Sequence, residues 1–72
     1  MTKYIFLDLM EYREYSKNPE LVSYTFSELC EELAIWFDDK QFYELKTLDA
    51  INTQLEVHND EDGTSFIALE II

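Results

Sequence analysis

The sequence has 72 residues, with 16 acidic against five basic side chains and a formal net charge of −11 at pH 7. Apolar residues make up 47% of it, with five Tyr, five Phe and one Trp; an acidic disordered tail would be poor in both classes, so the chain reads as one small folded domain, 1–72, with a single core. One cysteine, Cys30, excludes an internal disulfide framework and a Cys-rich metal site, and one histidine, His58, excludes a His-based metal site within the chain. Gly63 is the only glycine, which leaves no glycine-rich phosphate loop. Five scattered cations form no basic stripe on so anionic a surface, so direct nucleic-acid binding is disfavoured. No Ser–His–Asp or Cys–His arrangement stands out. The expectation is a non-enzyme that needs neither cofactor nor metal.

In chain order, the stretch from Lys3 to Glu11 is rich in Tyr, Ile, Phe and Leu and predicts a strand, central in its sheet. Helix competes there, because Leu9, Met10 and Arg13 are good helix formers. Asp8 interrupts the apolar run of Tyr4-Ile5-Phe6-Leu7 and Glu11 closes it, too soon for a membrane span or a signal core. The expected setting is therefore the cytoplasm. A polar connection follows from Tyr15 to Tyr24, with its turn at Lys17-Asn18-Pro19.

Thr25-Phe26-Ser27-Glu28 has the form of a capping box, in which each of Thr25 and Glu28 satisfies the other's backbone N–H. Phe26, Leu29, Cys30, Leu33, Ala34 and Phe37 then recur at helical spacing and predict an amphipathic helix, with Cys30 an inert thiol on its buried stripe. Asp38-Asp39 ends it, at the pole of the helix dipole where an exposed anion costs ~0.3–1 kcal/mol.

From Lys40 to Asn52 two readings compete. A short amphipathic helix carrying Phe42, Leu45, Leu48 and Ile51 is preferred to a strand at Gln41–Leu45. Leu55 and Val57 alternate with Glu56 and His58, Asn59 to Gly63 reads as a turn, and Phe66 to Ile72 reads as a further strand. These predict a C-terminal hairpin, with His58 on the polar side of its strand. The expected fold is α+β: a small antiparallel sheet of about three strands with one main helix, and a second short one, on one face, in the order β-α-(α)-β-β.

On a helical wheel, Glu28, Glu31, Glu32, Asp38 and Asp39 fall opposite the apolar stripe, with Ile35 among them and Trp36 on the shoulder. A branched aliphatic ringed by carboxylates has no evident stability role, although single exposed apolar residues are ordinary. An apolar centre inside an anionic rim is how an interface anchor with electrostatic steering is built. Carboxylates three and four positions apart lie ~5–6 Å from one another, close to the spacing of a phosphate ladder. The expected partner is a basic protein surface of the kind that binds nucleic acid. Tyr12 and Tyr15 extend this interface or cover the sheet edge. An exposed apolar patch also allows a homodimer.

Size, charge, aromatic content and the acidic helix together resemble the small acidic phage-encoded inhibitors of bacterial defence, the anti-CRISPR proteins and other DNA mimics. The resemblance covers the whole chain as composition and layout, without a family motif. It implies a protein acting in the bacterial host cell by binding a nucleic-acid-handling effector and blocking nucleic-acid access or effector assembly. Immunity proteins and antitoxins that neutralise a basic nuclease share the same features, and an acidic adaptor subunit of a host complex is a third reading. Two look-alikes fail on residues. An acyl carrier protein needs Asp-Ser-Leu at a helix start, which none of Ser16, Ser23, Ser27 or Ser65 provides. A calcium loop through Asp60, Asp62 and Gly63 would have His58 as its first ligand and Leu69 in place of the closing Glu.

Overall fold

The computed structural model describes residues 2–10 and 22–71. The connection expected at Lys17-Asn18-Pro19, and the tyrosines Tyr12 and Tyr15, lie outside the described residues. The elements in chain order are β1 (Tyr4–Asp8), α1 (Phe26–Phe37), a 3-10 turn (Lys40–Glu44), α2 (Leu48–Asp62) and β2 (Phe66–Glu70). β1 and β2 pair antiparallel, with Tyr4 opposite Glu70 and Asp8 opposite Phe66. On the other side of β1, Tyr4 and Tyr24 exchange backbone hydrogen bonds of 2.8 Å each. β1 therefore lies between β2 and Tyr24.

The fold is α+β as expected, but the sheet formed by the described residues has two strands, and the predicted C-terminal hairpin is a helix followed by a strand. The alternation of Leu55 and Val57 misled because it is so short. The governing period is four: Ile51 and Leu55 are fully buried on one face of α2, while Val57 is exposed. Thr47 starts this helix by accepting from the Ala50 N–H at 3.1 Å. Gly63 ends it in the left-handed conformation, φ 68°, with its N–H bonded to the Asn59 carbonyl at 2.8 Å. Asp62-Gly63 is thus a helix C-cap, a role that selects glycine for the same reason a hairpin turn does. The segment from Lys40 to Asn52 is neither one helix nor a strand: a 3-10 turn buries Phe42, an extended link follows, and α2 begins at Leu48.

α1 follows its sequence pattern closely. Leu29, Cys30, Leu33 and Ala34 are buried, and Phe26 and Phe37 are half-buried beside them. The Cys30 thiol is held protonated by burial, which pushes its pKa up. Both arms of the capping box are present: the Glu28 N–H donates to Thr25 Oγ1 at 3.2 Å, and the Thr25 N–H donates to Glu28 Oε1 at 2.8 Å. Replacing Thr25 by Ala should cost ~1 kcal/mol, seen as a fall of about 4–8 °C in the thermal midpoint. An unshifted midpoint would show that the cap contributes nothing to the folded state.

The core joins both helices to one sheet face. Leu29, Leu33, Phe42, Ile51, Leu55 and Ala68 are wholly inaccessible to solvent, and Phe6 and Phe66 pack against them. The register puts Phe6, Ala68 and Phe66 on this face. α2 also docks on the outer edge of β2 through two asparagines seven residues apart. Asn52 accepts from the Ala68 N–H at 2.8 Å and donates to the Ala68 carbonyl at 3.0 Å. Asn59 accepts from the Phe66 N–H at 2.9 Å and donates to the Phe66 carbonyl at 3.0 Å. Each side-chain amide takes the place of a neighbouring strand's peptide group, so the edge is covered without a further strand.

Candidate functional site

The outer face of α1 carries two ridges. Glu28, Glu32 and Trp36 follow one another at four-residue intervals, and Glu31, Ile35 and Asp38 run alongside. All six are exposed, Ile35 at 65% and Trp36 at 63% of their accessible surface. These two are therefore not core residues with an exposed tip. Asp38 is the C-cap of α1 in the left-handed conformation, φ 51°, one of the few non-glycine residue types that visit it readily.

Asp39, grouped with this face on the helical wheel, turns inward instead. Its Oδ1 accepts from the Gln41 N–H at 3.0 Å and caps the 3-10 turn. Its Oδ2 accepts from Gln54 Nε2 at 2.7 Å and lies 2.8 Å from His58 Nε2. The hydrogen bond from His58 is the main cause that holds the Asp39 carboxyl below the ordinary aspartate range; burial opposes it, and Gln41 and Gln54 add to it. The anion at the unfavourable pole of α1 is thus at the favourable N-terminus of the next element.

His58 is correspondingly not on a strand surface beside an acidic turn. It projects from α2 with its ring 4.7 Å from Phe37 and 5.8 Å from Phe42, and its side chain is 15% exposed. Because the Asp39 pKa is lowered in the folded state, its stabilisation is complete above the unfolded value and is lost as pH falls through the folded one. Asp39→Asn should therefore cost ~1–2 kcal/mol at neutral pH and flatten the acid limb of stability. Urea midpoints measured from pH 7 down through the carboxylate range test this; parallel curves for the two proteins would refute it.

Behind the acidic face lies a chain of aromatic rings. Trp36 meets Phe6 at 5.9 Å and Phe66 at 6.1 Å, with interplanar angles of 72° and 65°. Phe6 stacks on Tyr24 at 5.8 Å. Burial raises the Tyr24 pKa, and the negative charges of Glu32 and Glu28 raise it further, which puts this hydroxyl in the field of the first ridge. Tyr24 and Phe6 thus belong to the surroundings of the face although neither was marked by helical periodicity. Tyr24 precedes the capping box, and only its pairing with Tyr4 brings it there. Among the described residues no helix is long and apolar enough to cross a membrane.

Comparison with protein-family models, with curated proteins and with solved structures finds no match for this chain.

Proposed function

We propose that the protein is a non-enzymatic inhibitor that binds a basic, nucleic-acid-binding surface of a bacterial defence complex through the outer face of α1, in the manner of anti-CRISPR proteins. The observation that carries this reading is the exposure of Ile35 and Trp36 among the carboxylates of Glu28, Glu31, Glu32 and Asp38. Apolar side chains supply an anchor that is desolvated on contact, and the carboxylates supply long-range attraction and register. Asp39 holds the end of α1 in place from within and takes no part in the contact with the partner. The contact blocks either nucleic-acid access or effector assembly.

The test is capture of partners from bacterial lysates carrying CRISPR systems, at low and at high salt, with identification by mass spectrometry. A nucleoprotein effector that salt releases is the expected result. A nuclease toxin in its place would make the protein an immunity protein, and an ordinary host complex would make it an adaptor. With the captured partner in hand, reversing Glu31 and Glu32 to Lys should lower the association rate and leave the fold intact. Ile35→Asp should raise the dissociation rate about tenfold. Unchanged rates in both variants would remove this face from the interaction.

A further inference from the structure

The ridge of Glu28, Glu32 and Trp36 has a chemistry more specific than negative charge. Trp36 is the only tryptophan of the chain and stands largely in solvent, which is unusual for a side chain that packs so favourably when covered. Its two aromatic neighbours, Phe6 and Phe66, meet it at steep angles rather than lying flat upon it. Such contacts fix the orientation of the indole while most of it stays open. Glu32 lies one helical turn before it on the same ridge and Glu28 one turn further, and both are exposed. The Tyr24 hydroxyl stands close enough to both carboxylates to feel their charge.

We infer that Trp36 and Glu32 form a receptor for an arginine side chain of the partner, the guanidinium lying against the indole and forking onto the carboxylate. Four-residue spacing on a helix puts the two side chains ~5–6 Å apart at Cβ, within the reach of one guanidinium that stacks within ~6 Å of the ring centre. Arginine fits this pair better than lysine. Its planar group can stack and donate two parallel hydrogen bonds at once, whereas an ammonium is a compact, strongly hydrated charge that satisfies one of the two. Ile35, on the adjoining ridge, covers the aliphatic stem of the bound side chain. The receptor rests on the reading of this face as the partner-binding surface and specifies the side chain it takes.

Two short labelled peptides of equal length and charge, one built on arginine and one on lysine, measure this directly by fluorescence anisotropy with the full 72-residue protein. The arginine peptide should bind about two- to fivefold more tightly than the lysine peptide, the range of an exposed cation–π contact. Glu32→Gln and Trp36→Ala should each remove most of that difference, because each leaves arginine, like lysine, a single group to engage. Equal affinities of the two peptides for the wild-type protein would overturn the inference, as would an arginine preference that persists in both variants. Trp36→Ala removes contacts to Phe6 and Phe66; Glu32→Gln alters an exposed side chain only, so it decides the matter if the first variant unfolds. Equal affinities of the two peptides for the wild-type protein beside capture of a nucleic-acid-handling effector would reject the receptor and leave the proposed function standing. The reverse pattern would reject that function and keep the receptor.

Discussion

Phe42→Ala is expected to lose ~3–5 kcal/mol of folding stability, the cost of emptying a large, wholly buried aromatic site. A chain of this length has about 4–11 kcal/mol in total, so the variant should lose a large share of its stability. Phe42 has no solvent exposure, and it packs 5.9 Å from Phe37 and 5.8 Å from His58. It is carried by a short 3-10 turn rather than a helix, so few local backbone bonds hold the turn once the ring is gone. The ring also backs the histidine that donates to Asp39, so its removal loosens the link between the end of α1 and α2. Tyr43→Ala, one residue along and exposed, should lie within ~0.5 kcal/mol of wild type. Urea unfolding followed by circular dichroism compares the two; a loss below 1 kcal/mol for Phe42→Ala would mean the turn does not close the core.

Asn52→Asp is expected to cost ~2–3 kcal/mol at neutral pH, more than any surface exchange of similar size. The shape is conserved, but the group that donates to the Ala68 carbonyl at 3.0 Å becomes an acceptor facing an acceptor. The bond from the Ala68 N–H survives, so the effect isolates one contact. Repulsion and partial burial raise the pKa of the introduced carboxyl in the folded state above its unfolded value. The penalty is therefore present above the folded pKa and shrinks as pH falls through it, when the protonated acid can donate again. Relative to wild type, Asn52→Asp should regain stability on acidification because its own carboxyl becomes protonated, whereas the deficit of Asp39→Asn closes in the same direction because the wild type loses the contribution of Asp39. A penalty that does not change with pH would show that the amide donor is not what couples α2 to β2.

How much of this was legible in the sequence depends on how local the determining contacts are. The capping box of Thr25 and Glu28, the apolar stripe of α1 and the buried Cys30 follow from residues a turn or two apart, and each is found as read. The strand expected from Lys3 to Glu11 is found over Tyr4–Asp8, with Leu9 and Met10 already helical. α2 was hidden because Leu55–His58 taken alone fits a period of two, and because Gly63 satisfies either a turn or a helix end. Asn52 and Asn59, seven apart on one helix face, were the available signal. Amides at that spacing argue for a helix docked on unpaired backbone. On the acidic face, Glu31, Glu32 and Ile35 were legible from periodicity. The inward turn of Asp39 was not, because its partners Gln54 and His58 come from a helix the pattern had concealed.

The sheet that closes this fold joins Tyr4 to Glu70. α1, the 3-10 turn and α2 are each assembled from near neighbours, so they form on the short timescale of local contacts. The strand pairing must instead close a loop that encompasses both helices, and its entropy cost falls due before any of its hydrogen bonds can form. The helices and the turn need no strand pairing to form, and Asn52 and Asn59 lie on α2 in position to meet β2. The pairing of β1 with β2, the elements furthest apart in sequence, is thus the contact whose loop closure weighs most against rapid folding.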